Sequence, residues 1–266
     1  DDNPSQPNYL DVVLGKPVRV APEGEWSYAS IPVDLLSIAD QNIARKPVGD
    51  VFNAQIGGPV GMAPITWSAF GIYTKACCGA VVPARDLARV GYLMMMQGRW
   101  DKGTGQQPVV SKGRIASLTA KPSFYDHIAF RATPNSPFMV EPDAPSYYGL
   151  SWWTNRTGAA LGSTVPRDAF YAHGFRESLL VVVPSLDLVV VRYGPLPQVL
   201  PAFRREFMTR VMAAVIRPPQ QVVSLSLINA DTDQPVAGFD PLPDGALLTL
   251  SSLPTRNLNI RANTSP

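Results

Sequence analysis

Two nearly continuous apolar runs constrain this chain more than any other feature. Leu179 to Val183 and Leu188 to Tyr193 are rich in β-branched residues and are separated by Pro184-Ser185-Leu186-Asp187. Strands exposed on one face alternate apolar and polar residues, whereas strands covered on both faces do not. The two runs therefore read as a hairpin of central strands, turned by the Pro-Ser-Leu-Asp segment. A sheet buried on both faces needs helices, and one follows at once. Over Pro201 to Ile216, Phe203, Phe207, Val211 and Val215 recur every fourth residue with Met208 and Met212 beside them, while Arg204, Arg205, Glu206 and Arg210 take the other side. Such a helix packs back across the sheet. The expected class is α+β of the three-layer α/β type, an antiparallel sheet with helices packed on its faces.

Upstream, residues 1–25 form an irregular lead-in rich in Pro, Gly and polar residues. Ile31 to Ala44 reads as a helix with Ile31, Leu35, Ile38 and Ala39 on one apolar face and Asp34, Gln41 and Arg45 elsewhere; Pro47 ends it. Val48 to Ile56 suits a second, short helix before Gly57-Gly58-Pro59 breaks the pattern. Pro83 to Gln97 reads as a helix whose Leu87, Val90, Leu93, Met94 and Met96 fill a core, with Pro83 at its start and Gly98 in the left-handed position after its end. Residues 98–145 are loop-rich, with helical turns near Val110 to Thr119, and Tyr148 to Thr154 is aromatic and extended. Pro218-Pro219 marks a linker. Beyond it Val222 to Ile228, Ala246 to Leu250 and Leu258 to Asn263 read as strands of a module with fewer than about 50 residues, too few for a good core. The division is therefore residues 1–217, a Pro-rich linker at 218–221, and an incomplete all-β module at 222–266.

Charged residues are 17% of the chain and net charge is +2 with no basic stripe, which excludes a nucleic-acid partner. The longest apolar runs are far too short for a membrane span. No signal peptide is legible, and the chain begins at Asp1, as a processed product or fragment does. The cysteines, Cys77 and Cys78, are adjacent, so a framework of separated disulfides is impossible. They read as two small buried hydrophobes, with a strained vicinal disulfide as the alternative. Neither they nor His127 and His173 have metal-ligand spacing, so no metal and no cofactor is expected. Asp231 and Asp233 offer too few oxygens for calcium and read as a solvated turn.

Five segments carry a resemblance in a fixed order. They are Trp26-Ser27-Tyr28-Ala29-Ser30; Gly58-Pro59-Val60-Gly61-Met62; Asp86-Leu87-Ala88-Arg89 with Gly98-Arg99-Trp100; Tyr148-Gly149-Leu150-Ser151-Trp152-Trp153; and Ala172-His173-Gly174 followed by the hairpin. Across residues 20–216 this resembles the C-terminal part of the class C β-lactamase, penicillin-binding-protein and esterase family of serine hydrolases. Residues 222–266 resemble the opening of β-sandwich modules appended to secreted bacterial enzymes. The resemblance implies a β-lactamase/transpeptidase-like fold incomplete at the N-terminus, a secreted or periplasmic location, and acyl transfer on a small-molecule ester, β-lactam or D-amino-acid peptide.

In that chemistry a Ser-x-x-Lys serine attacks a carbonyl, a base takes its proton, and preorganised N–H donors face the oxyanion. By resemblance Tyr28 is the proton-transfer tyrosine, a role that requires nearby positive charge to lower its pKa. Ser30 stands where the family usually has asparagine. The third motif, on the substrate-binding strand, takes in His173, Gly174 and Phe175, in more than one possible register: His173 or Ala172 at the first position, or the motif at Phe175 to Glu177.

The six lysines are preceded at the third position by Val13, Ile43, Ile72, Arg99, Val109 and Leu118, so no Ser-x-x-Lys occurs. Nor is there a Gly-x-Ser-x-Gly elbow. The chain is therefore expected to be nearly inactive alone, its serine lying upstream in the parent protein or on a separate chain carrying the missing N-terminal part. The alternative is a non-catalytic β-lactamase-like binding or structural module, favoured by the departures at Ser30 and Phe175.

Overall fold

A computed structural model describes residues 14, 15, 17, 24–101, 103, 105–120, 129–130, 144–194, 201–215 and 222–264. The chain divides into two compact units, Asp1–Ala213 and Ala214–Pro266. The proposed linker at 218–221, His127 and most of the lead-in lie outside the described residues.

In the first unit, strand β1 (Glu25–Trp26) precedes helix α1 (Ile31–Ala44) and helix α2 (Val48–Phe52), which continues as a π-helical turn over Asn53–Gly57. Hairpin β2 (Ala69–Phe70) and β3 (Tyr73–Thr74) follows, then helix α3 (Ala84–Met95). Strands β4 (Arg99–Asp101) and β5 (Gln106–Pro108) pair ahead of helix α4 (Lys112–Thr119). Strand β6 (Ala129–Phe130) runs parallel to β1. Strands β7 (Trp153–Thr154), β8 (Phe170–Gly174), β9 (Ser178–Val183) and β10 (Leu188–Arg192) form an antiparallel sheet in the order β10-β9-β8-β7, and helix α5 (Pro201–Ala214) comes after them.

The register of this sheet sorts side chains onto two faces. Tyr171 opposes Val181 and His173 opposes Leu179, so these four share a face with Val183. Trp153 and Met208 of α5 join that face in one apolar cluster. Phe170 and Val182 point the other way, into a cluster with Met94 of α3 and Ile115 of α4. Helix α3 reaches this face through Gly91, where an added Cβ would lie 2.7 Å from both Leu180 Cδ1 and Val189 Cγ1. The apolar residues Leu179 to Val183 of β9 are all buried, each contributing about 1.5–3 kcal/mol by leaving water.

Several sequence expectations need correction. Strand β10 is half-buried throughout and lies at the described edge of the sheet, so only β9 is central on both faces. Helix α1 has the expected bounds, but its buried residues are Asp34, Ser37 and Ile38, while Ile31 is 44% exposed. The reason is polar: Asp34 accepts the Cys77 N–H at 3.1 Å, Ser37 Oγ donates to the Thr74 carbonyl at 2.7 Å, and Gln41 donates to the Ile72 carbonyl at 2.7 Å. Helix α5 likewise buries Arg204 beside Met208. Tyr148 to Thr154 is only partly extended, since Ser151 adopts φ 69 and regular pairing is confined to Trp153–Thr154 and a Tyr148–Trp153 bridge. Cys78 is exposed and Cys77 half-buried, and both are free thiols, so neither the buried reading nor the disulfide describes them.

The second unit is a three-stranded antiparallel sheet of β11 (Val222–Asn229), β12 (Gln234–Pro235) and β13 (Leu258–Thr264), with β11 in the middle. Ala246 to Leu250 is not a strand; Leu247 is 91% exposed. The apolar run misled because it lies between turns at Asp244–Gly245 and Leu250–Ser252 and pairs with no strand among the described residues. Asp231 accepts from Thr255 and Asn257, each at 2.7 Å, and these bonds hold its carboxyl below the usual range. Asp233 pairs with Arg261 at 2.8 Å.

Candidate functional site

Tyr28 lies in the link between β1 and α1. Its ring packs 5.2 Å from Trp153, 6.0 Å from Tyr148 and 6.4 Å from Trp26, measured between centroids. Trp153 in turn stacks on Tyr171 at 6.3 Å, its register partner across β7 and β8. Tyr171 and His173 are two residues apart on one face of β8. An aromatic path of Tyr28, Trp153 and Tyr171 thus connects the tyrosine to the strand carrying the third motif, and Tyr28 flanks the same apolar cluster.

Burial pushes the Tyr28 phenol above its ordinary value, a hydrogen bond from Trp153 opposes this, and the neighbouring Cys77 adds to the rise. None of these influences is a cation. A pKa raised above the ordinary phenol value keeps Tyr28 protonated near neutral pH. Two residues on, Ser30 occupies the N-cap position of α1. Its carbonyl accepts from Val33 and Asp34 at 3.0 and 3.2 Å, and its side chain makes no cap hydrogen bond.

The third-motif residues divide at the end of β8. Gly174 closes the strand, Phe175 is 57% exposed, and Phe175–Glu177 form a tight turn into β9. Arg176 and Glu177 adopt φ 58 and 56, left-handed values that L side chains reach only at a cost of about 1–3 kcal/mol each. Glu177 is nonetheless wholly buried. Its carboxylate lies 3.2 Å from His173 Nε2 and 3.6 Å from Arg204 Nε. Arg204 also donates to the Tyr171 hydroxyl at 3.0 Å, and Arg192 donates to the Glu177 carbonyl at 2.6 Å. The His173 side chain, only 6% exposed, therefore points into this cluster. Burial lowers its pKa; hydrogen bonding to Glu177 counters, and the Arg204 charge lowers it further.

Sequence reasoning named Glu177 only as the end of an alternative third-motif register and put Arg204 on the polar side of its helix, so it missed the buried pair they form. The available signal was a charge inside a segment bounded by two apolar strands. The structure brings Tyr28 and the third-motif strand to one face of the sheet, with Ser30 and Phe175 exposed and His173 withdrawn. A groove of about 530 Å³ lined by Arg85, Arg89, Tyr92, Met96 and Trp100 borders α3; it also touches Val189, the register partner of Val182, so it belongs to the opposite face and includes none of these residues. Asp86, at the start of α3, accepts the Ala63 N–H at 3.3 Å and pairs with Arg89, which anchors the loop before the helix.

This mixed helix-and-sheet architecture is that of β-lactamase-like proteins. A Bacillus anthracis protein named as a 6-aminohexanoate-dimer hydrolase superposes with a TM-score of 0.60 at 18% identity, over 80% of this chain and 50% of its own. A Bacteroides dorei protein named as a β-lactamase superposes with a TM-score of 0.53 at 12% identity, over 77% of this chain and 63% of its own. The chain thus spans about half to three-fifths of the length of these structures. No protein-family model matches the sequence, and no curated protein matches it.

Proposed function

We propose that residues 1–217 form part of a serine hydrolase of the β-lactamase, D-alanyl-carboxypeptidase and esterase superfamily, in a three-layer transpeptidase-like arrangement. The reaction is acyl transfer on an ester, β-lactam or D-amino-acid peptide, in a secreted or periplasmic setting. The serine and lysine come from outside these 266 residues. Residues 222–266 are the start of an appended β-sandwich module. The observation that carries this reading is the aromatic path joining Tyr28 to β8 on one face of the sheet.

Tyr28 is the proton-transfer group. Burial favours its protonated phenol, and an upstream lysine ammonium would oppose that by favouring the phenolate. Ser30, Gly174 and Phe175 form the substrate rim. His173 supports the end of β8 through Glu177. The test uses a protein extended upstream to include a Ser-x-x-Lys segment, assayed with an activated ester and a chromogenic β-lactam and labelled by a fluorophosphonate. The extended protein should turn over and label on that serine, while these 266 residues alone should be nearly inactive, because losing a covalent nucleophile costs several orders of magnitude in kcat. Tyr28→Phe should lower kcat of the extended protein by about 10²–10⁴-fold. Robust turnover by the isolated chain, or full activity of Tyr28→Phe, overturns the reading.

A second reading, a non-catalytic binding module, is favoured by the direction of the Tyr28 shift and the withdrawal of His173. Failure of the extended protein to label would select it.

A further inference from the structure

The turn carrying Cys77 and Cys78 is hydrogen-bonded at both ends. Lys75 N–H donates to the Ser68 carbonyl at 2.8 Å and Ser68 N–H donates to the Gly79 carbonyl at 3.1 Å, so one residue fastens both ends of the turn. Gly79, at φ 78, lies so close that an added Cβ would come within 2.3 Å of Ser68 Oγ. Within the turn, the Cys77 N–H is fixed to Asp34 at 3.1 Å. The two sulfurs lie 2.9 Å apart, Cys78 exposed and Cys77 half-buried.

We propose that this pair is an asymmetric thiol-modification site: Cys78 exchanges with small-molecule disulfides and keeps the adduct, and Cys77 does not displace it. In the step, Cys78 loses its proton to solvent and attacks one sulfur of RS–SR. The reagent's S–S bond breaks, the Cys78–SR bond forms, and the departing thiolate takes up a proton, so that RS–SR and one thiol give one mixed disulfide and RSH. Two physical facts stop the reaction there. Closing a Cys77–Cys78 bond would have to span Cα atoms about 3.8 Å apart. Unstrained disulfides span about 4.4–6.8 Å, and shortfalls store several kcal/mol of strain. The second fact is protonation. Burial first, then the contact with Cys78 and the charge of Asp34, push the Cys77 thiol up to about 12. Burial and the Asp34 charge remain once Cys78 carries the adduct, so both still favour the Cys77 thiol over the thiolate that resolution requires.

The test treats the full chain at pH 8 with an excess of a pyridyl disulfide, follows release of thiopyridone by absorbance, and maps the product after acid quench and non-reducing digestion. One thiopyridone per chain should be released in the fast phase, with the adduct on Cys78. Cys78→Ser should lose more than about nine-tenths of the fast release rate, and Cys77→Ser should keep it. Mapping the unsubstituted chain requires no variant to fold. Release of two thiopyridones with a product two hydrogens lighter, an adduct on Cys77, or no fast phase at all would each overturn the proposal.

Discussion

At the residue scale, Glu177, in the turn between β8 and β9, is a costly placement. A left-handed backbone and complete burial both penalise it, so the contacts with His173 and Arg204 must offset both. Removing one partner of a buried charged cluster leaves the others unpaired. Glu177→Ala should therefore lower stability by about 3–5 kcal/mol, although Ala is the smaller residue and chemical denaturation is expected to remain cooperative. His173 gives the pH counterpart. Its folded pKa is depressed, so folding favours neutral imidazole. The stability this contributes is present above the unfolded value of about 6.5 and is lost as pH falls through the folded value. Between pH 8 and 5 the native chain should lose Tm on acidification, and His173→Gln should flatten that limb. An equally steep limb in the variant would assign the acid sensitivity elsewhere.

At the element scale, glycines with the same backbone conformation differ in what surrounds them. Gly98 and Gly103 have φ 84 and 83. At Gly103 an added Cβ meets nothing within 4 Å, whereas at Gly98 it falls 2.0 Å from the Val110 carbonyl oxygen, a backbone atom. Gly103→Ala should cost only the left-handed penalty of about 1–2 kcal/mol. Gly98→Ala should cost more than this, because the chain segment from β5 to α4 must also move; denaturant midpoints of the two variants make the comparison. Gly98 also illustrates what was legible in advance. Proline and glycine act on the chain locally, so the bounds Ile31–Ala44 could be read directly, and the end of α3, expected at Gln97 and found at Met95, to within two residues. Which face of a helix is buried is a tertiary property. Asp34 and Arg204 face inward because distant backbone and side-chain groups receive them, and periodicity alone assigned both outward. The site divides in the same way. Tyr28 and β8 could be marked from local motifs, but the Trp153–Tyr171 stack joining them depends on the register between two strands, which no local motif specifies.

At the scale of the whole molecule, the two units differ sharply in their apolar reserves. Among the described residues, all three apolar clusters lie between Trp26 and Met212. Among the described residues of the second unit, the buried apolar ones are Leu227, Ile228 and Val236. Unfolding enthalpy scales at about 0.7 kcal/mol per residue near 60 °C. A unit spanning Ala214–Pro266 should thus contribute about 40 kcal/mol, against about 150 kcal/mol for the first. A core of so few side chains is also marginal at this size. Calorimetry should therefore resolve a small transition at lower temperature, followed by a main one. Ending the chain at Arg217 should abolish the small transition and move the main Tm by no more than about 4 °C, the shift expected for a change of about 1 kcal/mol in a domain of this length. Loss of the main transition on truncation would mean that residues 218–266 are integral to the first unit's stability. A single two-state transition in the intact chain, with calorimetric and van't Hoff enthalpies equal, would show that the chain unfolds as one cooperative body.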